Sequence, residues 1–520
     1  MNDIFNLKVP KRLRLTLLIL AMFPNLMILS MFNMNSTFTA SFLDLEADDI
    51  QFMFAMAYAT IVCGLLIHVR FFHFFNIRSY LIVMTGLSIL VLLAMTFTRN
   101  TQLLLILRLI QGPLALFEGC ILLPIIMSQL KSHYAKILGY SILYCFLMIS
   151  DKFATSIIKF AIENYNHNMM IYTIIMIHTT ALLVYLFLFN YNRMFPKKPL
   201  YQLHLSGILL LMISLISGAF FLIYGRQYDW FDSYKIIISL SIFLIFGALF
   251  ILYQNTVKRP LFHFGIFKAE RVILGVLLLF LFYIFRASLG NVYQVMGTVW
   301  NWPWTNILTI QYFNVFGTIC GVAIAFFLML KEVDSRYTFT AGFLLLSSSM
   351  LWFSLLFYPD VSQSDICYPL LLEGLAQGVL FTPIVLYMLG GVHPSISSNV
   401  ALLGTATRFW GTIAGYSIMQ NVVLHLTTRK QSNLSVNYDL TSVPYQEQWD
   451  AMLSSQSNNY LPNEAVSLTV GNFQNELFKQ SLLLTSIDIF RILFWMGIGI
   501  SIACFLYQPI KGYILLKLKA

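Results

Sequence analysis

Apolar runs of about twenty residues recur along this chain from end to end, and they decide what it can fold into. A helix rises about 1.5 Å per residue, so such a run crosses a hydrocarbon core about 30 Å thick. The 520 residues are 58% hydrophobic and only 10% charged, whereas an ordinary soluble domain is about 25% charged. A soluble fold could not hide that much apolar surface. The chain reads as an all-α polytopic membrane protein.

Fourteen transmembrane helices are predicted, at 13–33, 50–69, 79–98, 102–127, 136–161, 168–190, 203–224, 235–255, 271–295, 306–330, 337–358, 366–391, 400–425 and 487–508. The net charge of +10 is a topology signal rather than a polyanion site. Lys8, Lys11, Arg12 and Arg14 precede the first span, and Lys/Arg clusters return at alternate loops: Arg70 and Arg78, Lys131 and Lys136, Arg193, Lys197 and Lys198, Lys258 to Arg271, Lys331 and Arg336. The C-terminal Lys511, Lys517 and Lys519 fall on the same side, while the opposite loops hold Asp44, Glu46, Asp48, Asp49, Asp360 and Asp365. Positive charge gathers on cytoplasmic loops, so both termini are expected in the cytoplasm. Nucleic acid is not an expected partner.

The first apolar run is too long for a signal peptide and no A-x-A site follows it, so it is read as span one. Six cysteines lie in or at spans without metal-ligand spacing, and the nine histidines form no metal cluster. No cofactor and no metal are expected, and no nucleophile–base pair points to an enzyme.

The chain divides into a first six-helix bundle (1–190), linkers with two extra helices (191–270), and a second six-helix bundle (271–520) containing a polar non-cytoplasmic loop at 426–486, which turns periodic near "NELFKQSLLLTSIDIFRILFW" and leads into a helix that continues as the last span. Arg108-Leu-Ile-Gln111-Gly112 in span four has an echo in Gly374-Leu-Ala-Gln377-Gly378 of span twelve. Related segments at corresponding places in two halves are how many transporters are built.

Three segments carry a family resemblance: "RLIQG" (108–112), "YGRQYDWFDS" (224–233) with Asp229, Trp230 and Phe231, and "ATRFWGTIAGYSI" (406–418). They resemble, in order, the span-four motif, the loop between the extra helices, and span thirteen of the fourteen-helix EmrB/QacA-type drug:proton antiporters of the major facilitator superfamily. The resemblance implies that superfamily's fold and proton-coupled multidrug efflux across a bacterial inner membrane. It also implies a role for the arginine at 108 in proton movement, and a periplasmic adaptor as a partner. Three departures stand out. Span one offers no Asp near its middle, His68 stands where the loop after span two usually has Asp, and "ISDKFATSIIKF" replaces the glycines and proline of the span-five signature.

Ionisable residues inside a membrane cost about 2.5–3.5 kcal/mol each at a helix centre and therefore face the bundle interior. Arg108, Glu118, Asp151, Lys152 and Glu373 are the candidates for proton coupling or ion pairing. Gln111, Arg286, Tyr293, Gln377 and Arg408 are the candidates for lining a substrate cavity. Gln111 and Glu118 are seven residues apart, two helical turns, and share a face, whereas Glu118 lies about 15 Å along the helix from Arg108 and must find its partner on another span. A carboxyl in apolar surroundings can load and release a proton near neutrality. For each group the rival reading is a structural hydrogen bond or ion pair between helices. Trp300, Trp302 and Trp304 read as interface anchors.

These features predict a secondary transporter that exports a hydrophobic or amphipathic small molecule, with protons and membrane lipids as its other partners. The alternatives are an importer or exchanger of an anionic metabolite, suggested by Arg108, Arg286, Lys152 and Lys159, and a transporter-like receptor without flux.

Overall fold

In the computed structural model, residues 4–6, 9–30, 43–130, 134–164, 168–194, 196–197, 200, 204–393, 396–437 and 443–519 are described. Lys8, Lys131, Lys198 and the last residues of the first predicted span lie outside them. The described chain is helical apart from turns, short 3-10 segments and one isolated bridge between Phe5 and Phe189. That follows from the solvent. Lipid offers no hydrogen-bond partner, and a helix satisfies its backbone groups internally.

The helices are α1 (Lys11–Ser30), α2 (Ala47–Leu65), α3 (His68–Phe74), α4 (Ile77–Thr96), α5 (Thr101–Gln129), α6 (Ala135–Asn164), α7 (Asn168–Leu188), α8 (Leu205–Tyr224) and α9 (Tyr234–Thr256). Then come α10 (Glu270–Thr298), α11 (Trp304–Leu330), α12 (Ser335–Leu356), α13 (Gln363–Leu389), α14 (Ser397–Asn437), α15 (Val443–Ser457) and α16 (Pro462–Lys519). A helix stands at each predicted span. By length and composition, 11 of the described helices can cross a membrane, or 12 if α2 and α3, bent by 64° at Leu66–Ile67, form one span. The others at predicted places are α1, which opens on Lys11, Arg12 and Arg14, and α14, whose membrane stretch carries Arg408 and many hydroxyl residues.

The polar stretch 426–486 is helical over more of its length than expected. Helix α14 runs on to Asn437, α15 covers Val443–Ser457 and α16 starts at Pro462. Its Ser, Asn and Gln content reads as loop, yet Ala465, Thr469, Leu477 and Ser481 are buried at multiples of four residues, the stripe of a packed helix. At 58 residues, α16 is about 87 Å long and extends well past any bilayer.

The chain packs as two compact units. One comprises Met1–Tyr283, Thr318–Phe339 and Gln377–Ala414; the other comprises Ile284–Gly317, Thr340–Ala376 and Gly415–Ala520. Within the first, α1 packs on α5, α6 and α7, α4 on α5 and α7, and α2 on α5 and α8. The most apolar stretch of α9 is 17% buried, with Leu244, Ile245, Leu249 and Leu252 exposed, as for a helix turned to lipid.

Two close approaches explain the echoed motif. A Cβ on Gly112 of α5 would overlap the Ala57 carbonyl and the Thr60 hydroxyl of α2. A Cβ on Gly378 of α13 would overlap the Thr318 carbonyl of α11. In both places only glycine lets the two backbones meet, the small-residue packing that drives helix association in membranes. The preceding Gln111 and Gln377 are both fully buried.

Candidate functional site

Helix α5 carries two polar clusters two turns apart. Arg108 is fully buried, and its Nη1 donates to Gln111 Oε1 (2.7 Å) and to the Ile28 carbonyl of α1 (3.1 Å). Gln111 and Arg108, three residues apart, thus act as one element that ties α5 to α1.

Glu118 is also fully buried. Thr85 Oγ1 of α4 donates to Glu118 Oε1 at 2.7 Å. The Asn25 carboxamide of α1, turned so that both its ends are satisfied, donates to the two carboxylate oxygens at 3.1 and 2.7 Å. The Tyr185 hydroxyl of α7 lies within reach of the carboxyl and of the Ala21 carbonyl (3.1 Å). Among the described residues no Lys, Arg or His reaches Glu118. Three helices therefore converge on one carboxyl with neutral groups alone. On the same faces, Ser88 lies one turn from Thr85 and His178 two turns from Tyr185; Ser88 Oγ and His178 Nε2 are buried with no hydrogen-bond partner among the described residues.

The other predicted residues are placed separately. Lys152 is 6% exposed and Asp151 half-buried; the Asp151 carboxylate accepts from the Lys152 backbone N–H (2.8 Å). In the second unit, Glu373 is fully buried and accepts from Asn314 Nδ2 of α11, whose same group donates to the Leu370 carbonyl (3.0 Å). Arg286 and Tyr293, seven residues apart on α10, are half-buried on one face. Arg108 and Gln111 are brought together directly; Glu118 joins neither.

Arg408 of α14 belongs to the first unit and is surrounded by aromatic rings. Its Nε donates to the Tyr283 hydroxyl (3.2 Å), and its guanidinium carbon stands 5.5 Å from the Phe381 ring centre and 5.9 Å from that of Tyr58. Tyr144 completes the group, its ring edge-on to Phe381 at 4.9 Å. Among the described residues no carboxylate reaches Arg408, and its side chain keeps part of its surface accessible.

The motif loop anchors the extra helices. Asp229 and Trp230 both take positive φ (53° and 52°), which folds the Trp230 ring back against Phe221 (5.5 Å) while Phe231 stays 63% exposed. Just before it, the Tyr224 hydroxyl donates to Asp49 (2.6 Å), Arg226 pairs with Asp48 (3.5 Å) and Gln227 donates to Glu46 (2.9 Å). The acidic first turn of α2, favoured there by the helix dipole, is thereby the dock for the α8–α9 hairpin.

Sequence reading missed Asn25, Thr85, Tyr185 and the four aromatic partners of Arg408. Asn25 carried a signal, an amide next to Pro24 inside an apolar span. The aromatic residues carried none, since such rings are common throughout the chain.

No protein-family model matches the chain. In sequence it is similar to the multidrug export protein EmrB of Escherichia coli (strain K12), 23% identical over 297 residues, which is 56% of this chain and 55% of EmrB. It is also similar to the probable multidrug resistance protein EmrY of the same strain (21% over 300 residues, 56% of each chain). A third relative is the fatty acid resistance protein FarB of Neisseria gonorrhoeae (22% over 295 residues, 55% of this chain and 54% of FarB). The chain thus matches only about half the length of these curated relatives. Among solved structures, a POT peptide transporter superposes with TM-score 0.59 at 11% identity, covering 96% of this chain and 94% of that one. An auto-inhibited POT family peptide transporter gives 0.55 at 11% identity, covering 95% and 96%.

Fold and helices together define an all-α integral membrane protein that shares its fold with the POT peptide transporters. Within that class the chain is similar, over about half its length, to the EmrB-type export proteins.

Proposed function

We propose that this chain is a proton-coupled secondary transporter that exports a hydrophobic or amphipathic small molecule by alternating access. It would sit in a bacterial inner membrane with both termini cytoplasmic. The observation that carries the reading is the Glu118 site: a fully buried carboxyl held by Asn25, Thr85 and Tyr185, with no cation beside it among the described residues. Burying an unpaired carboxylate costs several kcal/mol, so a proton arriving or leaving changes the energy of the whole cluster. That makes a proton a ligand able to bias one conformation over another. Moving one unit of charge through 100 mV adds about 2.3 kcal/mol of drive. The names of the sequence relatives, multidrug and fatty acid resistance proteins, support export as the direction. A periplasmic adaptor is a further expected partner, and the polar segment 426–486 is where it would dock.

The test uses reconstituted vesicles and fluorescent amphiphiles. Concentrative flux is expected when an inside-acid or inside-alkaline gradient of the correct sign is imposed, falling to the passive leak when an ionophore collapses it. Flux indifferent to the gradient removes proton coupling, and no flux of any amphiphile from correctly folded protein removes transport.

A further inference from the structure

The Arg408 cluster has a charge imbalance that points to a ligand. A guanidinium inside a membrane is expensive unless an opposite charge or a set of acceptors repays its lost hydration. Arg408 has one neutral hydroxyl acceptor, Tyr283, and two ring faces, Phe381 and Tyr58. Cation–π contacts offset part of the cost, but they leave most of its five donors unused. No acidic side chain reaches it among the described residues, and part of the side chain remains accessible. Glu118 and Glu373 are each held elsewhere, by Thr85, Asn25 and Tyr185 and by Asn314.

We propose that Arg408, framed by Tyr58, Tyr144, Tyr283 and Phe381, is the binding site for the anionic head of an amphipathic substrate. The fork of the guanidinium matches a carboxylate or sulfonate oxygen pair, and the surrounding rings offer apolar faces to the adjoining hydrocarbon. The site rests on the export reading and narrows its cargo to single-charge amphipathic anions. It excludes lipophilic cations, which Arg408 repels at short range.

Three probes of equal chain length isolate the head group: decane-1-sulfonate, decyltrimethylammonium and decanol. Their binding is measured to the full chain in nanodiscs of zwitterionic lipid, so that the bilayer itself favours no charge. The sulfonate is expected to bind about tenfold or more tightly than the other two, the effect of one charge-assisted contact. Arg408→Gln is expected to abolish that preference while leaving decanol binding within about twofold, and Arg408→Lys to keep part of it. Equal affinity of the wild-type chain for all three probes overturns the proposal even if Arg408→Gln does not fold. So does a sulfonate preference that survives in Arg408→Gln. Loss of sulfonate binding when phosphatidylglycerol is added together with enough cationic lipid to keep the disc neutral would assign the site to a lipid head group and overturn a soluble cargo. None of these outcomes bears on gradient-driven flux of other amphiphiles, which tests the export reading by itself.

Discussion

Glu118→Gln is expected to abolish uphill transport while leaving downhill exchange within a few-fold of the wild type. Glutamine preserves the shape of the side chain and can still accept from Thr85, which donates to Oε1 at 2.7 Å. It cannot exchange a proton. Its amide nitrogen would also face the Asn25 donor, which contacts both carboxylate oxygens. That mismatch costs about 1–3 kcal/mol, a drop in thermal midpoint but not a loss of fold. A purely structural Glu118 predicts the opposite pattern: lower stability with coupling intact. Measuring concentrative uptake and counterflow in the same vesicles separates the two. Thr85→Val, which removes one donor and keeps the carboxyl, should leave coupling present. Concentrative transport by folded Glu118→Gln at the wild-type level would show that another group carries the proton.

The second large effect concerns packing. Gly112→Leu and Gly378→Leu should each destabilise the chain by about 3 kcal/mol or more, the upper end for overpacking, because the atoms in the way are backbone carbonyls that cannot rotate aside. At Gly112 these belong to Ala57, and at Gly378 to Thr318. Gly86→Leu, where a Cβ meets nothing within 4 Å, is the matched control and should be silent. Size-exclusion profiles and thermal midpoints in detergent read the difference. If Gly112→Leu is as stable as Gly86→Leu, the tight α2–α5 crossing is not what holds the first bundle together.

The fold was legible because its dominant signal is one-dimensional. An apolar run of about twenty residues needs no knowledge of its neighbours to be read as a span. The stretch 462–474 was not, because Ser, Asn and Gln suit a loop, and only the register of Ala465 and Thr469 against other helices makes it a packed helix. The site was legible in part for the same reason. Glu118 and Arg408 stand out as charges in oil, whereas their partners are ordinary residues distant in sequence. Tyr185 lies 67 positions from Glu118 and Tyr283 lies 125 from Arg408, as their numbers show. Whether a buried charge meets a cation, a hydroxyl or a ring depends on helix rotation, which periodicity does not define when a helix is apolar all round. The five-residue echo was visible, but its meaning emerged only when Gly112 and Gly378 were each found against a neighbouring backbone.

The central claim, that substrate export is coupled to proton entry through Glu118, is tested most directly by running the cycle from the substrate side. Vesicles are loaded with a fluorescent amphiphile that carries no titratable group, diluted into substrate-free buffer at equal pH, and followed with a lumenal pH dye under clamped membrane potential. Each substrate that leaves should bring protons in, so the lumen is predicted to acidify with the wild-type chain and to stay level with Glu118→Gln. Substrate exit from wild-type vesicles with an unchanged or rising lumenal pH would contradict the account.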